Sequence, residues 1–205
     1  MEMFLLEKLI NEAAYSIDDV IDNELILAKN QTTKDIELIL YNIKTKEVIG
    51  FIKADKADNK TFEIAKSASE KGYGPLMYGP LMYDLLMMSI NPYTLKPSNT
   101  ITDAALMLYK YYNTKRNDVY KVSIKESDIV YNHTYRNNDK EDYIKKDKET
   151  LNIINTRYSL LPNEQFNNLV QLSDSLIKDN KLNRKSLFKQ GLDYFWNKYE
   201  LPLNI

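Results

Sequence analysis

Cysteine is absent from the chain, which excludes disulfides, thiolate metal sites and a cysteine nucleophile. Histidine occurs once, at His133, and a single imidazole in a polar stretch makes no metal site. No metal is therefore expected. Arginine is confined to Arg116, Arg136, Arg157 and Arg184, and the formal net charge is −1. That balance argues against nucleic acid as a partner, although Lys178–Lys189 is locally basic. Long apolar runs are also missing. The longest, around Leu81–Ile90, falls short of the ~20 residues that span a bilayer, so no membrane partner is expected. The first residues lack the basic-then-apolar order of a secretory leader, and a cytoplasmic location is the expectation.

What remains is ordinary globular material. The chain has 205 residues, of which 43% are hydrophobic and 28% charged, enough to build a packed core. Met3–Tyr15 has apolar residues at helical spacing (Phe4, Leu5, Leu9, Ile10, Ala13). Glu24–Lys29 reads as a strand. Asp35–Ile43 and Glu47–Lys56 alternate as an antiparallel hairpin around Lys44-Thr45-Lys46, and Phe62–Lys66 follows as a third antiparallel strand. Gly50 inside the hairpin marks a bulge or a close backbone approach. Tyr93–Pro97 and Val119–Lys125 are further strands, with a helix over Asp103–Asn113 between them. Beyond residue 126 the pattern turns helical. A charged helix is expected over Asp139–Thr150 and on through Tyr158, a second over Asn163–Lys178, and a third, with a broad aromatic stripe, over Ser186–Tyr199. The expected class is α+β: a mixed, mostly antiparallel sheet flanked by helices, with a helical C-terminal extension. The expected division is an α/β domain over 1–125 and a helical extension over 126–205 packed on it.

Glycine is rare, yet three of the five fall in one stretch, at Gly72, Gly74 and Gly79. Thr61–Ile90 runs strand, glycine-rich loop, apolar helix. That order places backbone N–H groups and the positive end of a helix dipole where an anion can sit. The plainer reading is a turn. Within the stretch YGPLM occurs twice in tandem, Tyr73–Met77 and Tyr78–Met82. Pro80 inside a continuous helix would cost ~3 kcal/mol, so the regular helix is expected to begin near it.

Ser69-Glu70-Lys71-Gly72-Tyr73-Gly74 resembles the Q/R-x-x-G-x-G/A motif of the GCN5-related N-acetyltransferase (GNAT) superfamily, with Ser69 in place of the leading Gln/Arg. AKSASEKGYGPLMYD and the following KPSNTITDAALMLYKYY look like acetyltransferase-like proteins encoded by bacteriophages, over about Asp35–Lys125. The resemblance implies acetyl-CoA as the cofactor and substrate, with its pyrophosphate held by Lys71, Gly72, Tyr73, Gly74 and Gly79. It implies a splayed strand pair that admits the pantetheine arm, and direct transfer to a small-molecule or protein amine. In Ala105-Leu106-Met107-Leu108-Tyr109 the superfamily's A-x-x-x-Tyr spacing makes Tyr109 the candidate acid for the leaving thiolate. A buried core tyrosine is the alternative, in a chain with 16 of them. By analogy Glu63 is the candidate base; an exposed strand glutamate is the alternative. A second function class stays open on the same residues: a non-catalytic phage virion or host-interaction protein, located in the virion or host cytoplasm. Its partner, or a second copy of the chain, would meet the C-terminal helices.

Overall fold

The computed structural model describes residues 24–70, 78–98, 101, 103–124, 135–137, 140–142 and 148–200. The amphipathic stretch Met3–Tyr15 and His133 lie outside these residues.

A four-strand antiparallel meander opens the fold: β1 (Leu25–Gln31), β2 (Asp35–Asn42), β3 (Glu47–Lys56) and β4 (Thr61–Ser69). Its turns are built from local chemistry. The Asn42 side-chain carbonyl accepts the N–H groups of Lys44 and Thr45 at 2.9 Å, and Lys46 takes a left-handed φ of 60°. β4 leads to helix α1 (Tyr78–Ile90), and α1 returns the chain to β5 (Thr94–Lys96), which pairs parallel to β4. Helix α2 (Asp103–Lys115) and edge strand β6 (Tyr120–Ser123) follow. A small hairpin of β7 (Tyr135–Asn137) and β8 (Lys140–Asp142) precedes helix α3 (Lys148–Ile154), strand β9 (Thr156–Ser159) and helices α4 (Glu164–Lys178) and α5 (Arg184–Glu200). The main sheet has seven strands in the order β1-β2-β3-β4-β5-β9-β6. The protein is α+β, with a mixed, mostly antiparallel sheet flanked by helices and further helices toward the C-terminal end.

One expected helix is not there. Asp139–Tyr158 reads as a single helix from sequence, but the chain makes a hairpin, one short helix and then β9, which enters the sheet between β5 and β6. The residues give the reason. Thr156, Tyr158 and Leu160 are buried and alternate with Arg157, Ser159 and Leu161, a period of two that a helix cannot bury. Two smaller differences concern β4, which runs three residues beyond Lys66, and α1, which begins at Tyr78. Pro80 then sits in the first helical turn, where its missing N–H is no loss.

Both faces of the meander are covered, because its strands alternate. Leu25, Leu27, Leu38, Leu40, Ile52, Ala54 and Phe62 face α1 and, at β1, Phe166 and Leu169 of α4. Ile26, Ala28, Ile39, Tyr41 and Phe51 face α5 through Leu187 and Phe195. Residues 81–90 of α1 are all buried, so this helix lies inside the molecule. A glycine admits each helix. A Cβ on Gly50 would lie 2.8 Å from Met82 Sδ of α1, and one on Gly191 would lie 2.6 Å from Ile39 Cδ1, on the opposite face. Gly50 also adjoins a bulge: Leu40 pairs with Gly50 and Tyr41 with Val48, leaving Ile49 unpaired.

Candidate functional site

The parallel pair β4–β5 is short. Thr61, Phe62 and Glu63 pair with Thr94, Leu95 and Lys96, and there the pairing stops. β4 continues six residues further, to Ser69, still bonded to β3. Two features of the sequence end the match. Pro97 follows Lys96 and has no N–H to give a neighbouring strand. On β4, Lys53 pairs with Lys66 and Ala54 with Ile64, so Ala65 is a bulged residue, and bulges bend the strand that carries them. The result is a fork in the sheet. Among the described residues, no strand pairs with β4 on this side from Ile64 to Ser69. Clefts at the carboxyl ends of parallel strands, where a loop enters a helix, are the usual ligand sites of such sheets.

Glu63 and Lys96, the last paired residues, close the fork. The Lys96 ammonium lies 3.2 Å from Glu63 Oε2, with 23% and 29% of their side chains exposed. Phe62 and Leu95 belong to the core under α1, so Glu63 and Lys96 point from the other face of the sheet.

Tyr109 projects from α2 into an aromatic group. Its ring lies 4.9 Å from Tyr158 of β9, 5.9 Å from Tyr83 of α1 and 6.2 Å from Tyr112. Only 2% of the residue is exposed. Burial pushes its hydroxyl well above the ordinary tyrosine range, and the charges of Tyr83, Tyr158 and Glu63 add to that direction. Tyr109 therefore keeps its proton at neutral pH.

A buried carboxylate braces the helices around this point. Asp84 of α1 accepts hydrogen bonds from Tyr112 Oη at 2.8 Å and Arg116 Nη1 at 2.8 Å. The same Arg116 holds Asp118 through Nε at 2.8 Å and Nη2 at 2.7 Å, keeping the Asp118 carboxyl below its usual range. Tyr112 also bonds the Pro80 carbonyl at 3.2 Å, which fixes the first turn of α1 to α2. Asp84 is thus cross-linked to residues more than twenty positions away.

Lys71, Gly72, Tyr73 and Gly74 lie outside the described residues. Gly79 is the second residue of α1. A Cβ there would meet Ser69 Oγ at 3.6 Å, an ordinary contact, so packing alone does not require glycine at this position. Beside the end of β4, the C-terminal part of α5 presents Trp196 and Lys198. Lys66 lies 4.5 Å from the Trp196 ring centroid, and Lys198 pairs with Glu70 at 2.9 Å.

No protein-family model, curated protein or solved structure matches this chain. Among the described residues, no group of three or more His, Asp or Glu side chains is placed to hold a metal ion. No helix among them is long and apolar enough to cross a membrane.

The family resemblance points to Glu63 and Tyr109; Glu63 ends the β4–β5 pairing, whereas Tyr109 is buried in the core on the α1 face of the sheet. Sequence pattern gave no notice of Lys96, Tyr158 or Arg116. Lys96 reaches Glu63 through a parallel pairing whose register is set by the crossover, which no local pattern encodes. Tyr158 was hidden by the helical reading of its segment. The one available signal was the Thr-Arg-Tyr-Ser-Leu alternation itself.

Proposed function

We propose that the chain is an acetyl-CoA-dependent N-acetyltransferase of GNAT-like build, acylating a small-molecule or protein amine by direct transfer. The fork between β4 and β5, closed by Glu63 and Lys96, carries this reading. The β4 edge Ile64–Ser69, unpaired on this side among the described residues, suits an extended amide-bearing arm, which pairs with backbone as a strand would. The start of α1, Gly79 included, would supply amide donors for a pyrophosphate, and the resemblance adds Lys71, Gly72, Tyr73 and Gly74. Acetyl-CoA, when bound, supplies an activated acyl thioester. Glu63 takes the proton of the attacking amine, and Tyr109, on the α1 face of the sheet, is the proton donor that the resemblance implies for the departing sulfur. The core packing of Tyr109 holds its hydroxyl in place before the reaction, so little reorganisation is needed.

The Glu63–Lys96 ion pair favours a second reading, a non-catalytic phage virion or host-interaction protein on the same scaffold, because the base is already engaged. Calorimetric titration with acetyl-CoA separates the two. Micromolar binding is expected, with Tyr109→Phe binding equally well while losing about a hundredfold in turnover on an amine panel. Absence of binding removes the enzyme reading.

A further inference from the structure

We infer that the protein pairs with a second copy of itself along β6, so that two seven-strand sheets run on into one. This pairing does not depend on the acetyltransferase reading, and it uses a strand edge rather than the C-terminal helices.

An open sheet has two edges, and a bare edge offers unpaired N–H and C=O groups to another strand. The two edges here differ. At β1, helix α4 packs along the strand, Leu25–Ala28 are buried one after another, and Arg184 bonds the Lys29 carbonyl. At β6 all four residues are exposed, and among the described residues no strand lies beyond it. A lysine often guards such an edge by its charge. Lys121 is instead tied back, its ammonium donating to the Arg116 carbonyl at 2.7 Å. Tyr120 and Val122 are 60% and 57% exposed, and Leu161, just past β9, is as exposed as Val122. Tyr120 and Val122 share the face opposite buried Tyr158, because Tyr158 pairs with Lys121 between them.

The backbone sets the register. The Ile124 N–H bonds the Asn155 carbonyl, so Ile124, Val122 and Tyr120 bond toward β9. Lys121 and Ser123 then direct their N–H and C=O groups outward. A two-fold axis through Lys121 would set two lysines directly opposite, which like charge disfavours. An axis through Val122 sets Lys121 opposite the partner subunit's Ser123, each such pair exchanging two hydrogen bonds. It also joins the two Val122 side chains and lays Tyr120 across from the partner subunit's Ile124. The paired stretch is short, so micromolar dissociation is expected.

Sedimentation of the full chain across concentration tests this, beside Val122→Lys, Ser123→Pro and, on the exposed side of α5, Trp196→Lys. The Ser123 N–H serves no bond to β9, so proline there spares the ladder. The expected result is a concentration-dependent dimer, lost in Val122→Lys and Ser123→Pro with urea midpoints unchanged, and kept in Trp196→Lys. The chain has no cysteine of its own, so a single introduced one reports the register. Val122→Cys should form a disulfide-linked dimer under mild oxidation, because a non-bonded antiparallel pair holds its Cα atoms within disulfide span. Tyr120→Cys, equally exposed, should link at least about tenfold more slowly, since its two copies stand roughly 13 Å apart along the strands. A monomer at every concentration overturns the inference. So does a dimer that survives both β6 substitutions, or equal cross-linking of Val122→Cys and Tyr120→Cys.

Discussion

Asp84 shows what one charged residue demands inside an apolar helix. Its side chain is 3% exposed, and a carboxylate so placed is tolerable only when cations and hydroxyls replace the lost water. Arg116 and Tyr112 do so at 2.8 Å each. Removing Arg116 strands the charge. Arg116→Ala is expected to cost about 3 kcal/mol, read as a lowered urea midpoint with unchanged slope. Arg116→Lys should recover part of that loss, because a point charge remains while the fork onto Asp118 is gone. A midpoint unmoved by either change would mean that Asp84 is neutral in the fold. From sequence, Asp84 is a polar residue near the start of a helix, free to cap or pair locally. Its real partners stand 28 and 32 positions away, and nothing in the local pattern names them.

Among the elements, the meander was the most legible part. Its strands alternate cleanly, its turns carry Asn, Asp and Lys at the positions turns need, and the return strand Glu47–Lys56 has the bounds expected for it. Helices α4 and α5 were legible too, from apolar spacing and from Asn163, whose side chain accepts the Phe166 N–H at 2.8 Å. β9 was not, because a four-residue strand beside a short helix offers few periods to count. How the helices lie on the sheet was also hidden, except where glycine showed it. Gly50 reads from sequence as a bulge or a close approach; it is the close approach, and the bulge falls beside it at Ile49. Gly191 is the quieter case. Alanine there gains about 1 kcal/mol in helix propensity but drives its Cβ to 2.6 Å from Ile39, a fully buried side chain, and 3.0 Å from Phe51. The clash should win, giving a net loss of about 1–2 kcal/mol for Gly191→Ala. Ile39→Val removes the crowded methyl, so the double variant should lose less than the sum of the two singles. Strict additivity in a thermal or denaturant cycle would rule out the contact.

At the scale of the molecule, buried phenols tie stability to alkaline pH. Burial raises Tyr41, Tyr109, Tyr158 and Tyr194 above their ordinary range. A raised value means that the folded chain keeps protons the unfolded chain gives up near pH 10. The stability linked to these groups is therefore complete below about pH 10 and falls as the pH climbs above it. Tyrosinate absorbance should show the effect: a native titration that lacks these phenols, then a cooperative rise when the fold gives way. A full tyrosine signal near pH 10 with the fold intact would contradict the burial.

Strand β9 has a consequence for the order in which the molecule is made. β1 to β4 are neighbours in both chain and sheet, and each can pair as soon as it leaves the ribosome. β5 and β6 cannot meet, because the place between them belongs to residues 156–159. Closing that gap joins positions about sixty residues apart, and such long-range closure is slow compared with hairpin formation. Tyr158, arriving on that late strand, is also the ring packed closest to Tyr109. The nascent chain carries Tyr109 long before it has the wall that buries it, and the sheet closes only after residues 156–159 have been made.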